Sequence, residues 1–152
     1  MEKRVNAGRD TGSANKVPRR TTRRGVVGVI VRGDRFLLIR RSQHVTAPGF
    51  VCFAGGGIEA GETEQEALVR EMQEELGIDI QPTRRIWESR TRWGIQLGWW
   101  LIDADDSIRP VPNPEEVEET FWLTKEEIAA HDDLLGSMPE FLQAWDRGDI
   151  EL

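Results

Sequence analysis

Apolar residues fall in short runs broken by turn residues, a spacing that predicts strands interleaved with helices. GVVGVIV (25–31) and RFLLIRR (35–41) are β-rich runs joined by Gly33-Asp34, a hairpin signal. SQHVTAPG (42–49) reads as a loop with a Pro-Gly turn. FVCFA (50–54) predicts a short apolar strand running into Gly55, Gly56 and Gly57. The strongest helix follows, opened by a capping-box pair, Thr63 and Glu66, and stopped by Gly77. Strands are predicted near 84–93 and 95–103 about a turn at Gly94. PVPNPEE (110–116) is a proline-rich loop and EETFWLT (118–124) a strand. Thr124 with Glu127 caps a helix near 125–131, and a last helix is predicted over 138–147. There is no internal repeat and no linker between two domains, so the alternation predicts one mixed α/β layer fold over 23–152.

The segment before it, residues 1–22, has almost no apolar content and predicts a basic, disordered tail. Residues 1–24 hold eight Lys or Arg against two acids, while the remainder holds twelve against twenty-five. An acidic body argues against a broad nucleic-acid surface, which needs clustered Lys and Arg. It suits a site that recruits a divalent cation. No apolar run approaches a membrane span. The one cysteine, Cys52, cannot form an internal disulfide and reads as buried packing in a reducing compartment, which predicts a cytoplasmic protein.

Candidate chemistry concentrates in the helix after the glycines. On a helical wheel with Glu71 at zero, Glu75 falls at about 40° and Glu74 at about 300°. Leu68, Val69, Met72 and Leu76 fill roughly 60° to 160°, while Arg70, Gln73 and Glu66 occupy the far arc. The carboxylates therefore flank the apolar stripe, where a solvated face would not put them. Three like charges at i, i+3 and i+4 repel. A hard divalent cation removes that repulsion, and the preceding glycines allow close backbone approach.

The full stretch reads Gly56, five residues, Glu62, seven residues, Arg70-Glu71-Met72, one residue, Glu74-Glu75, one residue, Gly77-Ile78. It resembles the Nudix box at every defined position, and is most similar to MutT-type members. One departure is Ala54, where the family often has proline before the paired glycines. The resemblance implies an α/β/α sandwich around a mixed sheet, and a loop-helix-loop that binds Mg²⁺ or Mn²⁺. It implies hydrolysis of a diphosphate linkage in a nucleotide. Glu71, Glu74 and Glu75 resemble the metal-binding carboxylates, with the Gly55 carbonyl as a further ligand. Arg70 and Glu62 resemble the pair that orients them. Glu71 is the first candidate base. Some members use a glutamate from a distant loop, for which Glu115, Glu116, Glu118 and Glu119 are candidates.

Substrate clues are fewer. Trp93, Trp99 and Trp100 are candidates for stacking a base, with Trp99 and Trp100 on opposite faces of one strand. His44, in the loop before the box, is a candidate substrate contact, and His131 reads as structural. Downstream of the box, TRWGIQ (91–96) carries neither the proline nor the tyrosine that marks some Nudix subfamilies. The expected partner is a small nucleotide, with no membrane, little role for nucleic acid, and a homodimer compatible. Two other readings stay open: processing of an RNA 5′ end, and a Nudix-fold module that senses a nucleotide without cleaving it.

Overall fold

A computed structural model describes residues 23–152, and the predicted tail over 1–22 lies outside the described residues. The described residues form a mixed sheet of seven strands with three helices. In chain order these are β1 (Arg24–Arg32), β2 (Arg35–Arg41), β3 (Val51–Cys52), β4 (Gly55–Gly57), α1 (Glu64–Leu76), β5 (Arg84–Arg90), β6 (Gln96–Asp103), β7 (Val117–Thr124), α2 (Lys125–Ala129) and α3 (Ser137–Asp146).

The main path of the sheet runs β3-β2-β1-β6-β5, with β4 beside β1 and β7 beside β2. β1 pairs parallel with β6 from Arg24↔Gln96 to Val31↔Asp103. Its unbroken apolar run reflects this central place, covered on both faces. α1 packs on one face, where Met72 and Leu68 close over Gly28. α3 covers the other, where Phe141 stacks on Trp99 at 4.9 Å and meets Phe53 edge-on at 5.3 Å. The α/β/α sandwich expected from the box is the fold observed.

Four local expectations need correction in detail. The β1–β2 hairpin is real but pairs only at Val31↔Phe36 and Arg32↔Arg35, because the first half of β1 on that edge is taken by β4. The strand expected over 50–54 is confined to Val51–Cys52, since the chain crosses there from β2 to β1. The glycine run 55–57 is itself a strand, antiparallel to Gly25–Val27. A Cβ on Gly55 would run into the Val26 carbonyl oxygen, so this close pairing requires glycine. The strand near 84–93 stops at Arg90, where the Thr91 hydroxyl accepts from the Trp93 and Ile95 N–H groups and turns the chain.

α1 begins and ends where its caps dictate. Thr63 and Glu66 exchange side-chain to backbone hydrogen bonds, and Gly77 adopts a left-handed φ of 63°. Leu68, Met72 and Leu76 are fully buried, but Val69 is 41% exposed, because the buried arc rotates toward Glu71 and Glu75. The helix thus spends buried surface on two carboxylates and leaves a valine in water.

Leu68→Ala is expected to cost about 2–5 kcal/mol, the range for emptying a fully buried leucine site. Val69→Ala should change stability by less than about 0.5 kcal/mol. Urea unfolding midpoints of the two variants check which side of the helix faces the core.

Candidate active site

Glu71 and Glu75 are buried, 8% and 7% exposed, on the side of α1 that faces β4. The Glu71 carboxylate occupies the space that a Cβ on Gly56 would fill, so the glycine strand admits it. Glu116, in the loop before β7, brings a third carboxylate, and one oxygen from each of Glu71, Glu75 and Glu116 lies within 4.8 Å of the others. Both Arg32 Nε and Glu75 Oε1 are buried without a hydrogen-bond partner among the described residues, and of the two residues only Glu75 belongs to this cluster.

The electrostatics follow from that crowding. Burial, then repulsion from Glu71 and Glu116, pushes the Glu75 carboxyl up to about 9. Burial also raises Glu71, but the neighbouring Arg70 guanidinium opposes it. Arg70 is committed on the loop side. It donates to Glu62 at 2.6 and 2.9 Å, to the Gly57 carbonyl at 2.9 Å, and to Glu71 and Glu74 at 3.2 and 3.4 Å. The Arg70 hydrogen bond holds the Glu62 carboxyl down to about 2, and Glu62 also accepts the Glu59 N–H. Arg70 and Glu62 therefore tie the glycine loop to α1 and fix one oxygen of Glu71, and the Arg70 hydrogen bonds stop short of Glu75.

The remaining candidates separate. Glu74 is half exposed, drawn to Arg70 at the helix surface and outside the three-carboxylate cluster. Of the distal quartet only Glu116 joins it. Glu115 contributes a backbone carbonyl to Ser42, Glu118 faces solvent, and Glu119 pairs with Arg40 at 3.4 Å. Gly55 lines the small acidic cleft of about 220 Å³ that holds the cluster, together with Ile39, Arg41, Val45 and Gly56.

A larger cleft of about 410 Å³ runs from the same Ile39, Arg41, Gly55 and Gly56 to Ile95 and Arg23, over an apolar wall that includes Phe53, Leu97 and Met138. Trp99 contributes to this wall but is wholly buried against Phe141, with its indole N–H on Ser89. Trp100 points to the other sheet face and donates to Glu64 at 2.7 Å. Trp93 is 74% exposed on the turn, with Arg92 over its ring at 5.0 Å. His44 is exposed and lines neither cleft. The structure thus brings Trp99 to the larger cleft and leaves Trp93, Trp100 and His44 off it.

Arg41 was not singled out in the sequence, yet it lines both clefts where they meet. The 42–49 loop holds its guanidinium through the Thr46 carbonyl at 2.7 Å and hydroxyl at 3.0 Å. The available signal was the Arg40-Arg41 pair at the end of a strand, where alternation must send one arginine to each face. Arg40 takes the other side, donating to the Gly49 carbonyl and Asp133.

Known proteins match this chain over most of its length. The family profile described as NUDIX domain matches residues 21–145. The NAD-capped RNA hydrolase NudC of Stutzerimonas stutzeri is 32% identical over 109 residues, which cover 69% of this chain and 37% of that protein. The chain therefore spans little more than a third of that relative's length. The nucleoside triphosphatase NudI of an Enterobacter species is 31% identical over 116 residues, covering 68% of this chain and 82% of that protein. In structure, the MutT protein from Methanosarcina mazei superposes with a TM-score of 0.69 at 23% identity, over 86% of this chain and 96% of that one. Among the described residues no helix is long and apolar enough to cross a membrane.

A carboxyl held at about 9 in the fold, against about 4.3 in an unfolded chain, keeps a proton that the unfolded state releases. Its contribution to stability is present at low pH and is lost as pH rises through about 9. In EDTA, wild type should therefore lose more melting temperature between pH 6 and pH 9.5 than Glu75→Gln does. Equal slopes in thermal melts would show that Glu75 is not strained in the metal-free fold.

Proposed function

The chain belongs to the NUDIX family, and from that premise we propose that it is a divalent-metal-dependent pyrophosphohydrolase. Its proposed substrate is a nucleoside triphosphate, or a nucleoside diphosphate linked to another group. The observation that carries the reading is the cluster of Glu71, Glu75 and Glu116, with one Glu75 oxygen buried and unpartnered. A hard, anionic oxygen set of this kind fits Mg²⁺ or Mn²⁺. Glu71, Glu75 and Glu116 would hold the ion, with the Gly55 carbonyl beside them and Glu74 at the rim. Once bound, such an ion neutralises diphosphate charge and lowers the pKa of a coordinated water.

The protein's own groups supply the rest. Arg70 ties down Oε2 of Glu71, which leaves Oε1 to accept the proton of the attacking water. Glu62 keeps Arg70 in that pose. Arg41 lines both clefts, which supports a role on the phosphates while the nucleoside enters the apolar cleft. A cytoplasmic site of action fits the lone, buried Cys52.

A second reading is action on an RNA 5′ end. The name of the NudC relative and the exposed Trp93 with Arg92 on its ring favour it, since aromatic and arginine faces stack bases. The acidic body opposes it.

The test incubates the protein with Mg²⁺ or Mn²⁺ and a panel of nucleoside triphosphates, nucleoside diphosphate sugars, ADP-ribose, dinucleotides and capped RNA. Products are separated by ion exchange. The expected products are a nucleoside monophosphate with pyrophosphate or a phosphorylated group. Glu75→Gln should lower turnover by about a hundredfold or more, given that even residues behind a metal's ligands cost about 10–100-fold. Metal-dependent nucleotide binding with no turnover on any member would replace the hydrolase with the sensor.

A further inference from the structure

Two carboxylates of the cluster ride on α1, but the third comes from a loop, and its placement depends on what holds that loop. We propose that Asn113 and Ser42 are positioning residues that together deliver Glu116 to Glu71 and Glu75. The proposal rests on the reading of that cluster as a metal site.

Asn113 works from the α1 side. Its backbone N–H donates to the Glu75 carbonyl at 2.8 Å and its side-chain Nδ2 to the Glu74 carbonyl at 3.3 Å. Those carbonyls belong to the last turn of the helix, where no intrahelical donor remains. The Asn113 Oδ1 accepts the Glu115 N–H at 3.1 Å, and its carbonyl accepts the N–H groups of Glu116 and Val117 at 2.9 and 2.8 Å. The residue therefore caps α1 and folds the loop that carries Glu116 in one stroke. Pro112 and Pro114 flank it and limit the backbone on both sides.

Ser42 works from the β2 side. It is buried at the end of that strand. Its N–H donates to the Glu116 carbonyl at 3.1 Å, and its hydroxyl donates to the Glu115 carbonyl at 2.8 Å while accepting the His44 N–H at 3.1 Å. The peptide groups on both sides of the Glu116 Cα are thus each bound to both residues, through their N–H to Asn113 and through their carbonyl to Ser42. The loop is fixed to the helix that carries Glu75 and to the strand that carries Arg41. Two of the three carboxylates, and the arginine between the clefts, are set in register by these two residues, whose backbones bind Glu116 and Glu75 while their side chains bind the flanking Glu115 and Glu74 peptides.

Mn²⁺ affinity, read from the electron paramagnetic resonance of free Mn²⁺ without nucleotide, separates positioning from mere stabilisation. Turnover and melting temperature are measured alongside. Asn113→Ala and Ser42→Ala should each weaken Mn²⁺ binding about tenfold and lower kcat more than they raise KM. In the Glu116→Gln background the same changes should add less than about twofold, because residues acting through Glu116 have nothing left to place. Unchanged Mn²⁺ affinity with a lowered melting temperature, or full additivity with Glu116→Gln, would overturn the proposal. If Asn113→Ala fails to fold, Ser42→Ala, which removes one hydroxyl, carries the same test. Wild type that binds no Mn²⁺ sinks the metal reading and this proposal with it. Wild type that binds, with Glu116→Gln weakened and both clasp variants normal, sinks this proposal alone.

Discussion

Carboxylates taken out of water repel at full strength, and the architecture around α1 is an arrangement for bearing that repulsion. Two unit charges 4 Å apart cost about 4 kcal/mol where the effective dielectric is near 20. Glu71, Glu75 and Glu116 bring one oxygen each to within 4.8 Å of the others, close to that separation, and two of them are buried. The Arg70 guanidinium is shared among Glu62, Glu71 and Glu74, and that of Arg41, which lines the same cleft, is held by Thr46. A proton on Glu75, or a cation among the three, would relieve that repulsion. The folded chain therefore concentrates negative charge at a place that a hard metal ion would suit.

Holding such a cluster together requires a helix that cannot shift, and α1 is fastened at both ends. At its first residue, Glu64 sits over Gly98 and accepts from Arg24, Arg85 and the Trp100 indole at 3.0, 2.9 and 2.7 Å. Three strands are thereby tied to the start of the helix. At its last turn the Pro-Asn-Pro loop receives the free carbonyls. Between these anchors Leu68, Met72 and Leu76 press on the sheet and leave Glu71 and Glu75 facing β4. Glycine recurs at each contact with a carboxylate, at Gly56 under Glu71 and Gly98 under Glu64, since a Cβ would collide with either.

The two clefts share a wall but differ in chemistry, and under the proposed function that contrast would orient a nucleotide. One is acidic and small; the other is larger and walled by aromatic and aliphatic side chains. Arg41 stands at their junction, where a phosphate would lie if the nucleoside enters the apolar cleft and the bond to be cut lies over the carboxylates. The shape supports a substrate with an apolar ring at one end and a diphosphate at the other.

Much of this was legible in the chain itself. The order and type of the elements follow from apolar spacing, capping boxes and glycines, and α1 begins and ends where Thr63 and Gly77 direct. The carboxylate cluster on α1 follows from helical periodicity, and the spacing of Gly56, Glu62, Arg70 and the glutamates carried the family resemblance. What periodicity cannot contain is any relation between distant segments. That Glu116, and none of its three acidic neighbours, reaches Glu75 depends on the β2–β7 pairing and on Ser42 and Asn113. That Val69 faces water depends on how far α1 rolls to bury its carboxylates. That Trp99 reaches the cleft wall while Trp93 does not depends on where β5 ends and turns. Local sequence settles hydrogen bonds a few residues apart, such as caps and turns. Contacts across some forty to seventy residues, such as Arg24 with Glu64 or Ser42 with Glu115, exist only once the sheet has closed and the helix has docked on it.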